Sequence, residues 1–371
     1  MLFPPPAPRT SSAPVITPAR SVAAALLCCT AGIAQRIDVS IAATRDVTLY
    51  EDATGQTTND FGTNLFVGDS VAGLARRALL AFDVVNNVPA NSRIVFVQLQ
   101  LTVAQAPPGA TPLPVTIHRV QVAWPEGTTA ASGIGDNGTQ ANAGDTTWLH
   151  RVFATTQWQA PGGDFEPVPS GSFTMPTLGV FALGSNDALV ADVQAWLDGA
   201  PNHGWLLKTD ELGVQTARRI HSRQTTLVGV SPQLQIGYVP PGNSWSRGPG
   251  CHGSNGLALH QIISGAPVRG GTTSVVVQNG ITGNWTAVLL APALAQTAVD
   301  IVPGCPYELR ELWFDNLGPV MFDAQGTATY TFQVPNAASL LGFYLAMQSG
   351  SLDQAAPFSL SFSNGTLVVI G

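Results

Sequence analysis

Arg219, His221 and Arg223 fall at every second position of the segment Ala217–Arg223, ARRIHSR. Read as a strand, this spacing puts the three on one face and Arg218, Ile220 and Ser222 on the other. Two guanidinium forks flanking an imidazole suit bidentate capture of carboxylates, the chemistry that holding a uronic acid requires. The competing use is internal. Arg223, together with Arg77 of the segment Arg76–Asp83 (RRALLAFD), would then pair with Asp83 or Asp192 inside a β-sandwich.

Sugar recognition also calls for flat aromatic faces that can lie against the C–H face of a pyranose. Trp124, Trp148 and Trp158 sit in or beside loop-like sequence, unlike Trp196 and Trp205. Trp148 is followed closely by His150 and Arg151 (WLHR), the most suggestive such group. Packing into the core is the alternative for each tryptophan.

Signatures of catalysis are sparse. The nearest approach to a nucleophile elbow is His252-Gly253-Ser254-Asn255-Gly256, with His where the first Gly belongs. There is no H-E-x-x-H, phosphate loop or dinucleotide fingerprint. Lys208 is the only lysine among 16 basic residues, so the Tyr-x-Lys strand of β-jelly-roll polysaccharide lyases is missing. Paired carboxylates from distant strands are not legible in a sequence. A non-catalytic protein is the expectation, with an unrecognised lyase or hydrolase as the third reading.

The elements that must position these residues are strands. Charged residues make up 11% of the 371, while glycine (38) and proline (28) are abundant, which indicates an all-β chain rich in turns. A net charge of −7 repels phosphate backbones and argues against nucleic acid as a partner; an acidic glycan would need a local arginine cluster. Ile94–Val103 alternates, with Val97, Leu99, Leu101 and Val103 facing one way, as in a half-wet antiparallel strand. One short helix is expected over 192–198, capped by Asp192 and ended by Gly199, with Trp196 plugging the sandwich. The Gly/Asn/Ala-rich stretch 128–145 reads as a mobile surface loop. It holds Asp136 and Asp145, but lacks the spacing and terminal Glu of a twelve-residue calcium loop, so no cofactor is assigned.

Residues 240–244 break the pattern, and 241–247 reads as a linker between a unit at 35–240 and a second β-rich unit at 248–371. The second unit contains Ser-Asn-Gly twice, at 254–256 and 363–365, and Asn-Gly is a hairpin-turn signal. Cys251 and Cys305, both in Pro-Gly-Cys turns, are expected to form a disulfide worth roughly 4 kcal/mol through loop closure. Residues 1–34 read as an export signal, with Arg9 and Arg20 before the apolar run Ser21–Ala34 and cleavage after Ala34; that run is too short for a membrane span. Lipidation at Cys28 is disfavoured by Leu27 before it.

Four pieces, in order, resemble the DNRLRE-type domain of secreted bacterial proteins over residues 43–238. They are RRALLAFD, the stretch Val115–Thr128 with Trp124, Glu126 and Gly127, then DVQAWLDG with GWLL (Asp192–Leu207), then ARRIHSR. Gln224 stands where the family usually has Glu, which puts any charge pairing carried over there in doubt. The opening GPGCHGSNG, the second cysteine and the closing SNG are similar to a terminal domain of exported planctomycete-type proteins. The resemblance implies a β-sandwich of a carbohydrate-binding-module type in the first unit, with alginate among the family's ligands. About seven short strands in 248–371 suggest a second sandwich, so two jelly-roll-like sandwiches in tandem are expected. The expected function is secreted or cell-surface binding of a polysaccharide, uronate-containing by the arginine comb. The alternative is a structural or adhesive spacer with no sugar site.

Overall fold

The computed structural model describes residues 36–311, 315–356 and 359–371. The expected export signal, Cys28 included, lies outside the described residues. The fold is all-β, with a single α-helix among the described residues.

In the first part of the chain, strands wrap into a continuous ten-stranded arrangement. The long strand Ile37–Tyr50 belongs to both sides: residues 37–42 pair with Gln233–Val239, and residues 43–50 pair with Ala75–Phe82. Asn64–Asp69 crosses similarly. Residues 64–67 pair with Arg218–His221, whereas Gly68 and Asp69 pair with Ala75–Arg76. Gly68 makes this crossing with φ of +119°, and a Cβ there would come within 2.8 Å of the Ala217 backbone, so only glycine fits.

The alternation in Arg93–Gln105 has the expected consequence. Val97, Leu99, Leu101 and Val103 are fully buried and meet Leu80, Phe82, Ile117, Trp205 and Ile236 in the principal core. The helix runs Asp187–Leu197, longer and earlier than expected. Its cap is Asn186, whose side chain accepts from Leu189 N at 2.9 Å. Asp192 is instead inside the helix, where it accepts from Ser170 Oγ at 2.5 Å and from the Trp205 indole at 2.7 Å. Trp196 is buried against Trp205, with ring centroids 4.6 Å apart.

Beyond Val239 a five-stranded sheet forms in the order Asn243–Arg247, Leu360–Val369, Tyr344–Leu352, Trp285–Ala291, Asp315–Met321. One face packs on a three-stranded sheet (His260–Ser264, Thr272–Gln278, Ala328–Gln333), through Val275, Val277, Val288 and Val368. The other face packs on the hairpin Leu294–Val302 with Cys305–Leu309. Cys251 and Cys305, 54 positions apart, form the expected disulfide in that second core.

Two expectations about this region are corrected. Residues 241–247 are not a free linker. After a turn, Asn243–Arg247 becomes an edge strand that pairs with Leu360–Val369. The end strand Leu360–Val369 is also unbroken at Asn364-Gly365. Asn364 is buried and grips the backbone of Gln261, accepting from its N–H at 2.7 Å and donating to its carbonyl at 2.9 Å. The described residues from 36 onward form one compact unit, and Val239 of the first part shares a core with Leu294, Tyr307 and Leu367 of the second.

Candidate functional site

The strand Arg218–His221 lies between Arg93–Gln105 and Asn64–Asp69, with Arg219 opposite both Phe66 and Gln105. Ile220 enters the principal core, which turns Arg219 and His221 outward, as period two requires. Arg218 is fully buried and donates to the carbonyls of Thr216 and Thr111.

Arg223 departs from the comb. The strand ends at His221, and Arg223 turns to the Glu126 carboxylate, which its Nε reaches at 2.7 and 2.9 Å. Its backbone N–H donates to buried Asp46 at 2.6 Å, and Gln224 donates to Glu126 at 3.0 Å. Burial pushes the Asp46 carboxyl up to about 8; the hydrogen bond from Arg223 opposes this and the Glu126 charge adds to it. Arg77 is likewise satisfied internally, by Glu211 at 2.5 and 2.8 Å and by the carbonyl of Gly162 at 2.7 Å. Internal pairing therefore occurs for both arginines, but with Glu126 and Glu211 in place of Asp83 or Asp192.

The aromatic expectation is corrected for Trp124 and Trp148. Residues 120–165 fold back over the outer face of the strands Ala75–Phe82 and Trp205–Lys208, and bury Trp124, Trp148 and Trp158 against Leu49, Leu79 and Leu206. Trp124 donates its indole N–H to the His203 carbonyl at 2.8 Å, and the Arg45 guanidinium lies 4.8 Å from its ring centre. Trp148 stacks on the Arg77 guanidinium at 4.6 Å. Neither presents a free face to a sugar. His150 packs edge-on to Phe153, and Arg151 donates to the carbonyl of Ala123 at 3.0 Å, so these two are not joined to Arg219 in one site.

The stretch 128–145 is held by a hydrogen-bonded network. Asp60 accepts from Gly127 N at 2.8 Å and Thr146 N at 2.7 Å, while Asp145 accepts from Thr128 N at 3.2 Å and Asn142 N at 2.6 Å. A Cβ on Gly127 would overlap both carboxylates. Burial raises the Asp60 carboxyl to about 7, against the hydrogen bonds from Thr58, Thr146 and Gly127 and with the Asp145 charge adding to the rise. These bonds tie down the ends of the expected mobile loop. Its middle docks too, through the Tyr50 hydroxyl, which donates to the Gly135 carbonyl at 2.7 Å.

That docking creates a cleft of about 440 Å³ at the point where Asn64–Asp69 crosses between strand partners. Arg219, Arg76, Asp69, Asp136, Asn137 and Gln105 supply polar groups, and Phe66, Val71, Leu74 and Ile134 an apolar wall. Arg219 has no ion pair among the described residues, and its buried Nε has no hydrogen-bond partner. Arg76 lies 4.8 Å from the Tyr50 ring and donates to the Ala75 carbonyl at 3.0 Å. Burial lowers the pKa of Arg76, and burial followed by the neighbouring Arg219 charge lowers that of His221. Burial raises the Asp69 carboxyl, and Thr216 donates to one of its oxygens at 2.9 Å while the other is orphaned.

Sequence reasoning found Arg219 but did not join it to Arg76, Asp69 or Phe66. No local period connects them, because the strand crossing at Gly68 brings them together. No protein-family model matches this chain, and no curated protein sequence matches it.

Proposed function

We propose that the protein is a non-catalytic, cell-surface or secreted binder of an acidic glycan, which it holds in the cleft of Arg219 and Arg76. The observation that carries this reading is Arg219: a guanidinium that shares its cleft with Asp69 and Asp136 yet forms no ion pair among the described residues. Such a group gains two parallel hydrogen bonds from a uronate. The flanking Asn137, Gln105 and Asp136 suit sugar hydroxyls, and the cleft falls in the size range of small-ligand pockets, roughly 300–1,000 Å³. The resemblance of residues 43–238 to DNRLRE-type domains points the same way. The export signal expected over residues 1–34 would fit an extracellular setting, as does the disulfide in the second part.

The test is calorimetric titration of the full chain with alginate and oligogalacturonate at low and high salt. Binding that Arg219→Ala weakens by about tenfold, and that salt also weakens, supports the reading. Binding indifferent to Arg219, or none to any acidic or neutral glycan, sinks it. A second reading, a structural spacer without a sugar site, is favoured by the burial of Trp124, Trp148 and Trp158. It predicts no glycan binding at high protein concentration.

A further inference from the structure

A second cleft, of about 370 Å³, opens where the helix Asp187–Leu197 faces the five-stranded sheet. Its polar lining converges from both parts of the chain. Arg93, Gln194, Asp187 and Asp198 come from the first part, Gln296, Arg310 and Arg247 from the second, and Trp245 and Tyr344 give it aromatic walls.

The three arginines are not equivalent. Arg247 is committed to Glu308, its Nε 2.8 Å from that carboxylate. Arg310 is half-exposed and only loosely paired, 3.6 Å from Asp187 and 4.0 Å from Glu311. Arg93 has no ion pair among the described residues. Its guanidinium lies 3.9 Å from the Tyr344 ring centre, and its one side-chain hydrogen bond is a long contact of 3.4 Å with Gln194. Burial lowers the Arg93 pKa, the carboxylates of Asp198 and Asp187 oppose that shift, and the charge of Arg310 adds to it.

Arg93 is thus held against Tyr344, partly stripped of water, and shares the cleft with a second cation, Arg310, whose pairing with Asp187 is loose. An oxyanion that both guanidiniums reach would give Arg93 the ion pair it lacks and would compete with Asp187 for Arg310. We propose that this junction cleft is a second anion-binding site, in which Arg93 and Arg310 hold a carboxylate or sulfate group of an acidic sugar chain beside Trp245 and Tyr344. The site does not depend on the Arg219 cleft, although one polymer could engage both.

The two sources of oxyanion separate by probe. Trigalacturonate offers only carboxylates, and a carrageenan tetrasaccharide only sulfates. Each is titrated calorimetrically into the full chain, into Arg93→Gln, Arg310→Gln and Arg219→Gln, and into the Arg219→Gln chain carrying either junction substitution. The expected result is that at least one probe binds the Arg219→Gln chain, and that this binding weakens about tenfold with Arg93→Gln and several-fold with Arg310→Gln. If Arg93→Gln perturbs the fold through loss of the Tyr344 contact, the exposed Arg310 still gives the answer. Binding of neither probe to Arg219→Gln overturns the junction site, and the first cleft stands where the full chain still binds. Binding that both junction variants leave unchanged overturns it too. Binding lost with the junction variants but untouched by Arg219→Gln supports the junction site and removes the first.

Discussion

The Arg223 guanidinium and the Glu126 carboxylate form the ion pair that takes Arg223 out of the outward-facing arginine row. Glu126 is nearly buried, with 7% of its side chain exposed, so removing its cation leaves a largely desolvated charge. Arg223→Ala is expected to cost about 3 kcal/mol, read from urea midpoints, and to leave glycan affinity unchanged. A cost under about 1 kcal/mol would show that the pair is dispensable.

Arg219 should behave in the opposite way. It satisfies no buried acceptor, so Arg219→Ala is expected to leave stability within about 0.5 kcal/mol while reducing affinity for uronates. A large loss of stability in the unliganded protein would assign Arg219 to the scaffold.

Two buried carboxyls set an unusual pH dependence. Asp46 and Asp60 hold their protons up to about 8 and about 7 when folded, against about 4 in an unfolded chain. The folded state therefore binds extra protons between those values. The stability they contribute is present in full below about pH 4 and is lost as pH rises through 7 and 8. Asp52 acts at the other end. Its hydrogen bonds from Thr54, Gln56 and Thr57 outweigh desolvation and hold it down at about 2, so its contribution is lost as pH falls through that value. Urea midpoints measured across this range should decline from mildly acidic to alkaline pH. Asp46→Asn should flatten the upper part of that decline; a slope unaltered by this change would refute the assignment.

Reduction of the Cys251–Cys305 disulfide should lower stability by roughly 4 kcal/mol, since it frees a 54-residue loop in the unfolded chain. Denaturation with and without a reductant reads this directly, and coincident curves would contradict it.

What was legible in the sequence depended on the range of the interaction. The alternation in Ile94–Val103 and the outward face of Arg219 and His221 follow from local period, and both appear in the fold. The helix was recognisable by its tryptophan face, but its start was not. Asp192 carries the same capping chemistry as Asn186, and only the distant Ser170 and Trp205 draw it into the interior. The tryptophans were misplaced for a related reason. Loop-like sequence around Trp124 and Trp148 gives no sign that 120–165 folds back over a sheet. The cleft needed a strand that changes partners at Gly68, an event that no window of neighbouring residues reports.

The twin Ser-Asn-Gly tripeptides have a chemical consequence. Asparagine followed by glycine is the dipeptide most prone to deamidation, through attack of the glycine nitrogen on the side-chain amide. Asn255 sits exposed in a turn, whereas Asn364 is clamped on Gln261 inside a strand. The same three residues should therefore age at two rates. Peptide mass spectrometry of protein stored at mildly alkaline pH should find isoaspartate accumulating at 255 well before 364, so one chain carries both the clock and its reference.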